Sequence, residues 1–355
     1  MTSTSAQIAR RLEALVGLGF ERAGAPPAET SVVRLDAKTA RLVATRAAMG
    51  THVTVTALGA SPHALEEATG RAFEEMDRLI ALLTRFEPAS PVSVLNASGR
   101  LDGPPPEVWQ VVASALGFHK ISAGAFDVSV APLLRLFESR LDRPDPAPPS
   151  AAEIREAAAL VGAQHVAASR RTIAFERPGM SVTLDGIAKG YIVDAVADAL
   201  DRGGIRRYLV DAGGDIRSRG AKEGGAPWTV AVRDPAGSPD FPDLIHLANG
   251  AVATSGSYEQ FFEESRTFHH IVDPQSGRSP SHSVSASVRA PSAMAADALA
   301  TTVFVMQPQA GLALIERLPG CACLIIDACG RQQKSRGWIS ACPAHDTSPR
   351  EEADA

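Results

Sequence analysis

Between His269 and Thr302 the chain must turn tightly, run as a strand, stop at a proline and restart as a helix. That succession limits the fold more than any other stretch. The turn is Asp273-Pro274-Gln275-Ser276-Gly277, in which Asp and Ser bond their own backbone, Pro fixes φ and Gly accepts φ > 0. Ser283 to Val288 alternates with the period of a strand. Pro291 ends it, and a helix of small residues is predicted from Ser292 or Ala293. On that helix Asp297 and Thr301 stand four residues apart and share a face. A carboxylate and a hydroxyl are hard oxygen donors of the kind Mg2+ prefers, although a helix with a merely polar edge carries the same pair.

Elsewhere short amphipathic strands alternate with helices. Thr51–Ala57 reads as a strand after Met49-Gly50, and Leu65, Ala68, Ala72, Phe73, Met76, Leu79, Ile80 and Leu83 recur at helical spacing. Further helices are predicted over Glu107–Ser122, over Ala151–Leu160 with Ser150 as N-cap, and from the turn Asp185–Gly190 through Leu200. His165–Ala168 and Thr172–Glu176 read as a hairpin. Ser181–Leu184, Tyr208–Asp211, Trp228–Arg233, Ile245–Leu247, Ala251–Ser255 and Cys321–Ile326 read as strands. Hairpin-connected amphipathic strands with helices between them predict an α+β fold with largely antiparallel sheet, not a doubly wound parallel one. Residues 1–42 lack sustained periodicity and are expected to form a poorly ordered arm with a short helix at Ala6–Leu18. One domain is expected over 43–340, with a disordered tail over 341–355.

With 355 residues, 45% hydrophobic and 21% charged, the chain can bury a substantial core. A net charge of −5 speaks against a nucleic-acid partner held by phosphate neutralisation. No apolar run approaches the roughly eighteen residues of a membrane span. Arg10-Arg11 precedes an apolar segment that is short, contains Glu13 and leads to no lipobox cysteine, so a cytoplasmic location is expected rather than export. Cys321, Cys323, Cys329 and Cys342 match no zinc spacing and imply no disulfide framework, which leaves structural thiols.

Three turns could meet a phosphate. Asp185-Gly186-Ile187-Ala188-Lys189-Gly190 opens a helix and offers amides, a positive dipole end and an ammonium, though a plain strand-to-helix turn fits it equally. Gly213-Gly214-Asp215 allows close backbone approach, as would a bulge or hairpin. Ala253–Tyr258 concentrates hydroxyls, as many Ser/Thr turns do. His270 is the candidate for proton transfer, against the alternative of a structural histidine. In an extended run His269 and His270 face opposite ways, so one of them at most serves a given site.

The motifs also have an order. Met49-Gly50-Thr51, Arg85–Pro88 with Leu95-Asn96, Gly124–Asp127, and Gly186–Tyr191 with Asp194 come first. Gly213-Gly214-Asp215, Ala253–Gly256, His270–Pro274 with Gly277, and Ala296–Thr301 follow. From Met49 to Trp338 this series resembles the ApbE family, the FAD:protein FMN transferases. The resemblance implies an ApbE-like, T-fold-like antiparallel architecture. It implies an enzyme that uses Mg2+ to break the pyrophosphate of FAD, passes the FMN phosphoryl to a Ser or Thr hydroxyl of an acceptor flavoprotein, and releases AMP. Carried over by position, the metal ligands are Asp297, Thr301 and the Gly186 carbonyl, and His270 is the base. Cofactor contacts fall on Met49, Phe86, Ala125, Phe126, Asp127, Lys189 and Ile271. Thr183 stands where the family usually has Asp, so its contact is carried over with Asp185 as a substitute. Many family members are exported or lipid-anchored, which makes the periplasm or cell envelope the alternative location. The other functional alternatives are FAD hydrolysis to FMN and AMP, and passive FAD binding.

Overall fold

Alternation along the strands sets the layers. The computed structural model describes residues 29–141, 148–238, 241–258, 261–262 and 268–341. The chain begins with β1 (Glu29–Asp36), β2 (Thr39–Ala48), β3 (Thr51–Gly59), α1 (Pro62–Leu83), α2 (Pro91–Ser98), β4 (Arg100–Asp102) and α3 (Pro106–Ile121). It continues through α4 (Ala131–Leu141), α5 (Ala151–Ala158), β5 (Val166–Ala168), β6 (Thr172–Phe175) and α6 (Ala188–Arg202). Next come β7 (Arg207–Ala212), β8 (Asp215–Arg219), β9 (Trp228–Val232), β10 (Asp243–Leu247), β11 (Gly250–Gly256) and β12 (Ser283–Ala290). Last are α7 (Ala293–Val305), α8 (Pro308–Ile315), β13 (Ala322–Asp327) and β14 (Gln332–Lys334).

Nine strands form one sheet in the order β1-β2-β3-β7-β8-β11-β12-β13-β14, and every pairing in it is antiparallel. On β11, Ala251 and Ala253 point into the main core while Val252 points to the other face. On β13, Cys323 and Ile325 point inward, and Ala322, Leu324 and Ile326 outward. The inner face is covered by α1, α6 and α7. The outer apolar residues are covered by the β9–β10 ribbon through Val230, Val232, Ile245 and Leu247, with Trp338. The expected antiparallel α+β architecture is the one observed, and Cys323 is a buried core thiol.

Two expectations change. Residues 29–41 do not belong to a poorly ordered arm. They form β1 and the first part of β2, because Leu42, Ala44 and Ala48 bury one face of β2 and β1 extends the same ladder. Residues 1–28 and 342–355, including the helix expected at Ala6–Leu18, lie outside the described residues. Ser181–Leu184 is buried but pairs with no strand among the described residues. Its backbone is satisfied otherwise: Asn96 accepts from Val182 N at 2.7 Å and donates to Val182 O at 2.8 Å, and Thr183 N donates to Val128 O at 2.7 Å. A buried peptide group needs such partners, and a side-chain amide can copy a ladder pair.

The two central helices hold each other by their first turns. Asp194 on α6 accepts from Ala293 N and Met294 N at the start of α7, at 2.8 and 2.9 Å. Asp297 on α7 accepts from Gly190 N in the first turn of α6, at 3.0 Å. Each carboxylate meets amides that a helix start leaves unpaired, at the positive end of the dipole. The contact is possible because residue 190 has no side chain: a Cβ there would lie 2.3 Å from Ala293 O and 2.8 Å from the Asp297 Cβ. Gly190→Ala should therefore force the helices apart and lower unfolding free energy by about 1–3 kcal/mol, read by urea denaturation. An unchanged midpoint would show that the helices do not touch there.

Candidate functional site

The turn after Leu184 brings backbone, cation and carboxylate together. Gly186 sits where an added Cβ would meet Thr301 Oγ1 at 3.3 Å and Phe126 at 3.4 Å, so its main chain approaches the Thr301 hydroxyl closely. Thr301 Oγ1 also shares a hydrogen bond with Ser255 Oγ at 3.2 Å. Asp297 is 6% exposed, and its Oδ2 is fixed by Gly190 N, so the carboxylate cannot swing freely. Lys189, in the first turn of α6, reaches Asp215 Oδ1 at 3.6 Å.

These groups open onto one cavity of about 310 Å³. Met49, Phe86, Ala125, Phe126, Asp127, Thr183, Gly186, Lys189, His270, Ile271, Asp297 and Thr301 all line it. Every residue that the resemblance assigns to the site is thus brought to the same place, although two of them use their side chains locally, whereas Gly213 and Gly214 line a neighbouring cavity. The Asp127 carboxylate accepts from Ser129 N, Ser129 Oγ and Ala163 N at 2.6–2.9 Å, with His119 Nδ1 at 3.3 Å. Burial opposes its charge, but these donors outweigh burial and hold its pKa below the usual carboxylate range. Its task is to shape the segment that carries Phe126. Thr183 Oγ1 accepts from Asp185 N at 3.1 Å and so folds the turn.

Sequence reasoning passed over the Arg85 network. The Arg85 guanidinium donates to Asp185 at 3.0 Å and to Glu138 at 2.6 Å, and lies 4.2 Å from the centre of the Phe86 ring. Burial disfavours its charge, yet Asp185 and Glu138 more than offset this and raise its pKa. Nothing local marks Glu138, which lies on α4 far from Arg85 in sequence.

The two histidines divide between cavity and core, although their rings stay edge to face with centres 6.2 Å apart. His270 lines the cavity. His269 is 3% exposed and packs edge-on against Phe304, with ring centres 5.5 Å apart. Its Nε2 faces Pro280 O at 3.1 Å and its Nδ1 accepts from Ile271 N at 3.3 Å, which places the proton on Nε2. The loop is further clamped by Phe268 and Phe262 stacking on Phe137 of α4, at 4.8 and 5.8 Å.

Met49 is the strained member. With Gly50 it closes the β2–β3 hairpin as a two-residue loop, and φ is +53° at Met49 and +73° at Gly50. Such loops favour Asn or Gly first, and a long side chain with positive φ is uncommon.

Charge decides what the cavity can take. Glu138, Asp185, Asp215 and Asp297 line it against Arg85 and Lys189, so an anionic ligand needs a further cation. Among the described residues no three His, Cys, Asp or Glu side chains cluster as a metal site. The Asp297 carboxylate and the Thr301 hydroxyl on the cavity wall are nevertheless donors of the kind that a hard cation such as Mg2+ takes, with most of its shell left to water and phosphate.

The family model for ApbE matches residues 49–325. The chain belongs to the ApbE family. A relative named FAD:protein FMN transferase from Vibrio cholerae is 37% identical over 210 residues, 58% of this chain and 63% of that one. Another of that name, from Klebsiella pneumoniae, is 31% identical over 325 residues and 89% of each chain. The crystal structure of the ApbE protein of Thermotoga maritima superposes with a TM-score of 0.76 at 29% identity, covering 83% of this chain and 97% of that one.

Two measurements check this geometry. Burial drives the His269 pKa from 6.5 down to about 4, so the unfolded chain binds the extra proton between those values. The stability this gives is complete above about pH 6.5 and is lost as pH falls toward 4, by roughly 3 kcal/mol. His269→Gln keeps an N–H for Pro280 O but does not titrate, so its stability should fall less over that window in parallel pH-dependent unfolding. Met49→Asn should relieve the strained φ and stabilise the fold by about 1 kcal/mol while weakening FAD binding. Thermal unfolding and FAD titration of this variant test both effects.

Proposed function

We propose that this chain transfers the FMN moiety of FAD to a Ser or Thr hydroxyl of an acceptor protein, with Mg2+ as its cation and AMP as the leaving product. The observation that carries this reading is the convergence of His270, Lys189, Asp297, Thr301 and Gly186 on one cavity in an ApbE-family chain.

Phosphoryl transfer asks a protein mainly for positioning and charge neutralisation. Mg2+ held by Asp297, Thr301 and the Gly186 carbonyl would supply the positive charge that a pyrophosphate needs in a cavity rich in carboxylates. Lys189 adds an ammonium, and Asp215 holds it at the cavity wall. Gly190 N–H keeps the Asp297 carboxylate in one orientation. His270 takes the proton of the acceptor hydroxyl as its oxygen bonds to the FMN phosphorus. The bond from that phosphorus to the bridging oxygen breaks, and the oxygen leaves with AMP. The clamped loop from Phe268 to Gly277 limits the motion of His270, and His269 cannot replace it because its ring is buried against Phe304.

Incubation with FAD, Mg2+ and a candidate acceptor, followed by intact-mass measurement, should show an FMN-sized gain on the acceptor. Free FMN with no gain would establish hydrolysis instead. His270→Ala should bind FAD about as well as the parent while transfer falls roughly 10²–10⁴-fold. Asp297→Asn keeps an acceptor for Gly190 N but loses the charge, so Mg2+-dependent turnover should collapse with the fold intact. Near-parental activity in that variant would remove Asp297 from the cation site.

A further inference from the structure

A second cavity of about 520 Å³ adjoins the first, and the two share Met49, Lys189, Thr254 and His270 as common wall. One of its sides is the consecutive run Val230, Ala231, Val232 and Arg233. Side chains of an extended strand alternate between two faces, so a cavity lined by four neighbours in a row meets the strand along its backbone edge. β9 pairs with β10 from Trp228 to Val232, and no residue of β10 lines this cavity. The cavity therefore runs along the other edge of β9, to which no described strand is hydrogen-bonded. Opposite lie the tips of two hairpins, Gly50 and the pair Gly213-Gly214, all with positive φ. Gly213 is packed so close to Thr51 that an added Cβ would lie 2.3 Å from its hydroxyl oxygen.

An open strand edge facing three glycines at the hairpin tips leaves room for one more extended chain, and an edge offers main-chain N–H and C=O groups to it. Four strand residues span about 10 Å, enough to pair with three or four residues of a guest. We propose that this groove holds the hydroxyl-bearing segment of the acceptor protein as a strand added to β9, with its Ser or Thr delivered to His270 at the junction of the two cavities. The inference rests on the transferase reading above and adds where the protein substrate docks. In this arrangement FAD and acceptor enter from different sides and meet where the imidazole is common to both. Exposed Ala231 and Arg233 flank buried Val232 along the groove. Ala231 and Arg233 touch only the acceptor side, since neither lines the first cavity.

The test uses the full chain with FAD, Mg2+ and an acceptor protein, comparing Ala231→Trp and Arg233→Glu with the parent. The expected result is a KM for acceptor raised roughly tenfold or more, which is about 1.4 kcal/mol. FAD affinity and acceptor-independent release of FMN should stay within about twofold, as controls for folding. An unchanged acceptor KM in both variants would overturn the docking site while leaving the transferase reading intact. Loss of FAD affinity in either would overturn it by assigning the groove to the donor. If the parent itself adds no FMN mass to any acceptor, the transferase reading fails, and the docking site falls with it.

Discussion

Everything in the site hangs on two carboxylates exchanged between helix starts. Asp194 of α6 holds the first amides of α7, and Asp297 of α7 holds the Gly190 amide of α6. Burial pushes the Asp194 pKa up, so the two main-chain donors, with Arg217 at 3.7 Å, are what keep its charge supported. Remove either carboxylate and a helix start loses its partners inside the core, where unmet amides are costly. In the function proposed above, the exchange also sets the site. The residue that caps α6 is the same one that would ligate the cation, and Lys189 lies one position before the amide it caps. Structural and chemical demands thus fall on a single side chain, and Gly190 is the position that lets them coincide.

The wall opposite is organised by aromatic packing instead of charge. Phe137 stacks on Phe262 and Phe268, and Gly277 fits against Ile154, where an added Cβ would lie 2.7 Å from Cγ2. This packing fixes the entry and exit of the loop, and His269 fixes its middle by burying one face. His270 is left with the cavity as its direction. A side chain supported on both flanks keeps its position without help from a substrate, which is what the base role proposed for His270 requires.

Much of this was legible from residues alone, for identifiable reasons. Turn chemistry is local, so Met49-Gly50, Asp185–Gly190 and Asp273–Gly277 were readable as punctuation, and alternation separated His269 from His270. Ser292 was readable as a helix start, and its hydroxyl accepts from Ala295 N. What stayed hidden was long-range. Asn96 stands in for a strand partner of Val182 across 86 residues, and Arg85 finds Glu138 across 53. Neither leaves a periodic trace. β1 was missed because its residues are exposed on both faces and so show no apolar alternation. Asp127 was legible as a site position, but its carboxylate turned out to shape the backbone, a distinction that only the hydrogen-bond partners can make.

Met49 shows where local preference and function part. A two-residue hairpin of this twist asks for Asn or Gly at its first position, and a long thioether with φ of +53° works against the turn. The surrounding ladder is long, pairing β2 with β3 from Ala40–Gly59 to Ala48–Thr51, and can hold one unfavourable residue of about 1–3 kcal/mol. What the chain gains is a flexible, polarizable side chain at the wall common to both cavities, set by a rigid hairpin and not by a loose loop. A conflict between turn chemistry and residue choice that persists at such a wall is the sign of a position kept for its contacts rather than for folding.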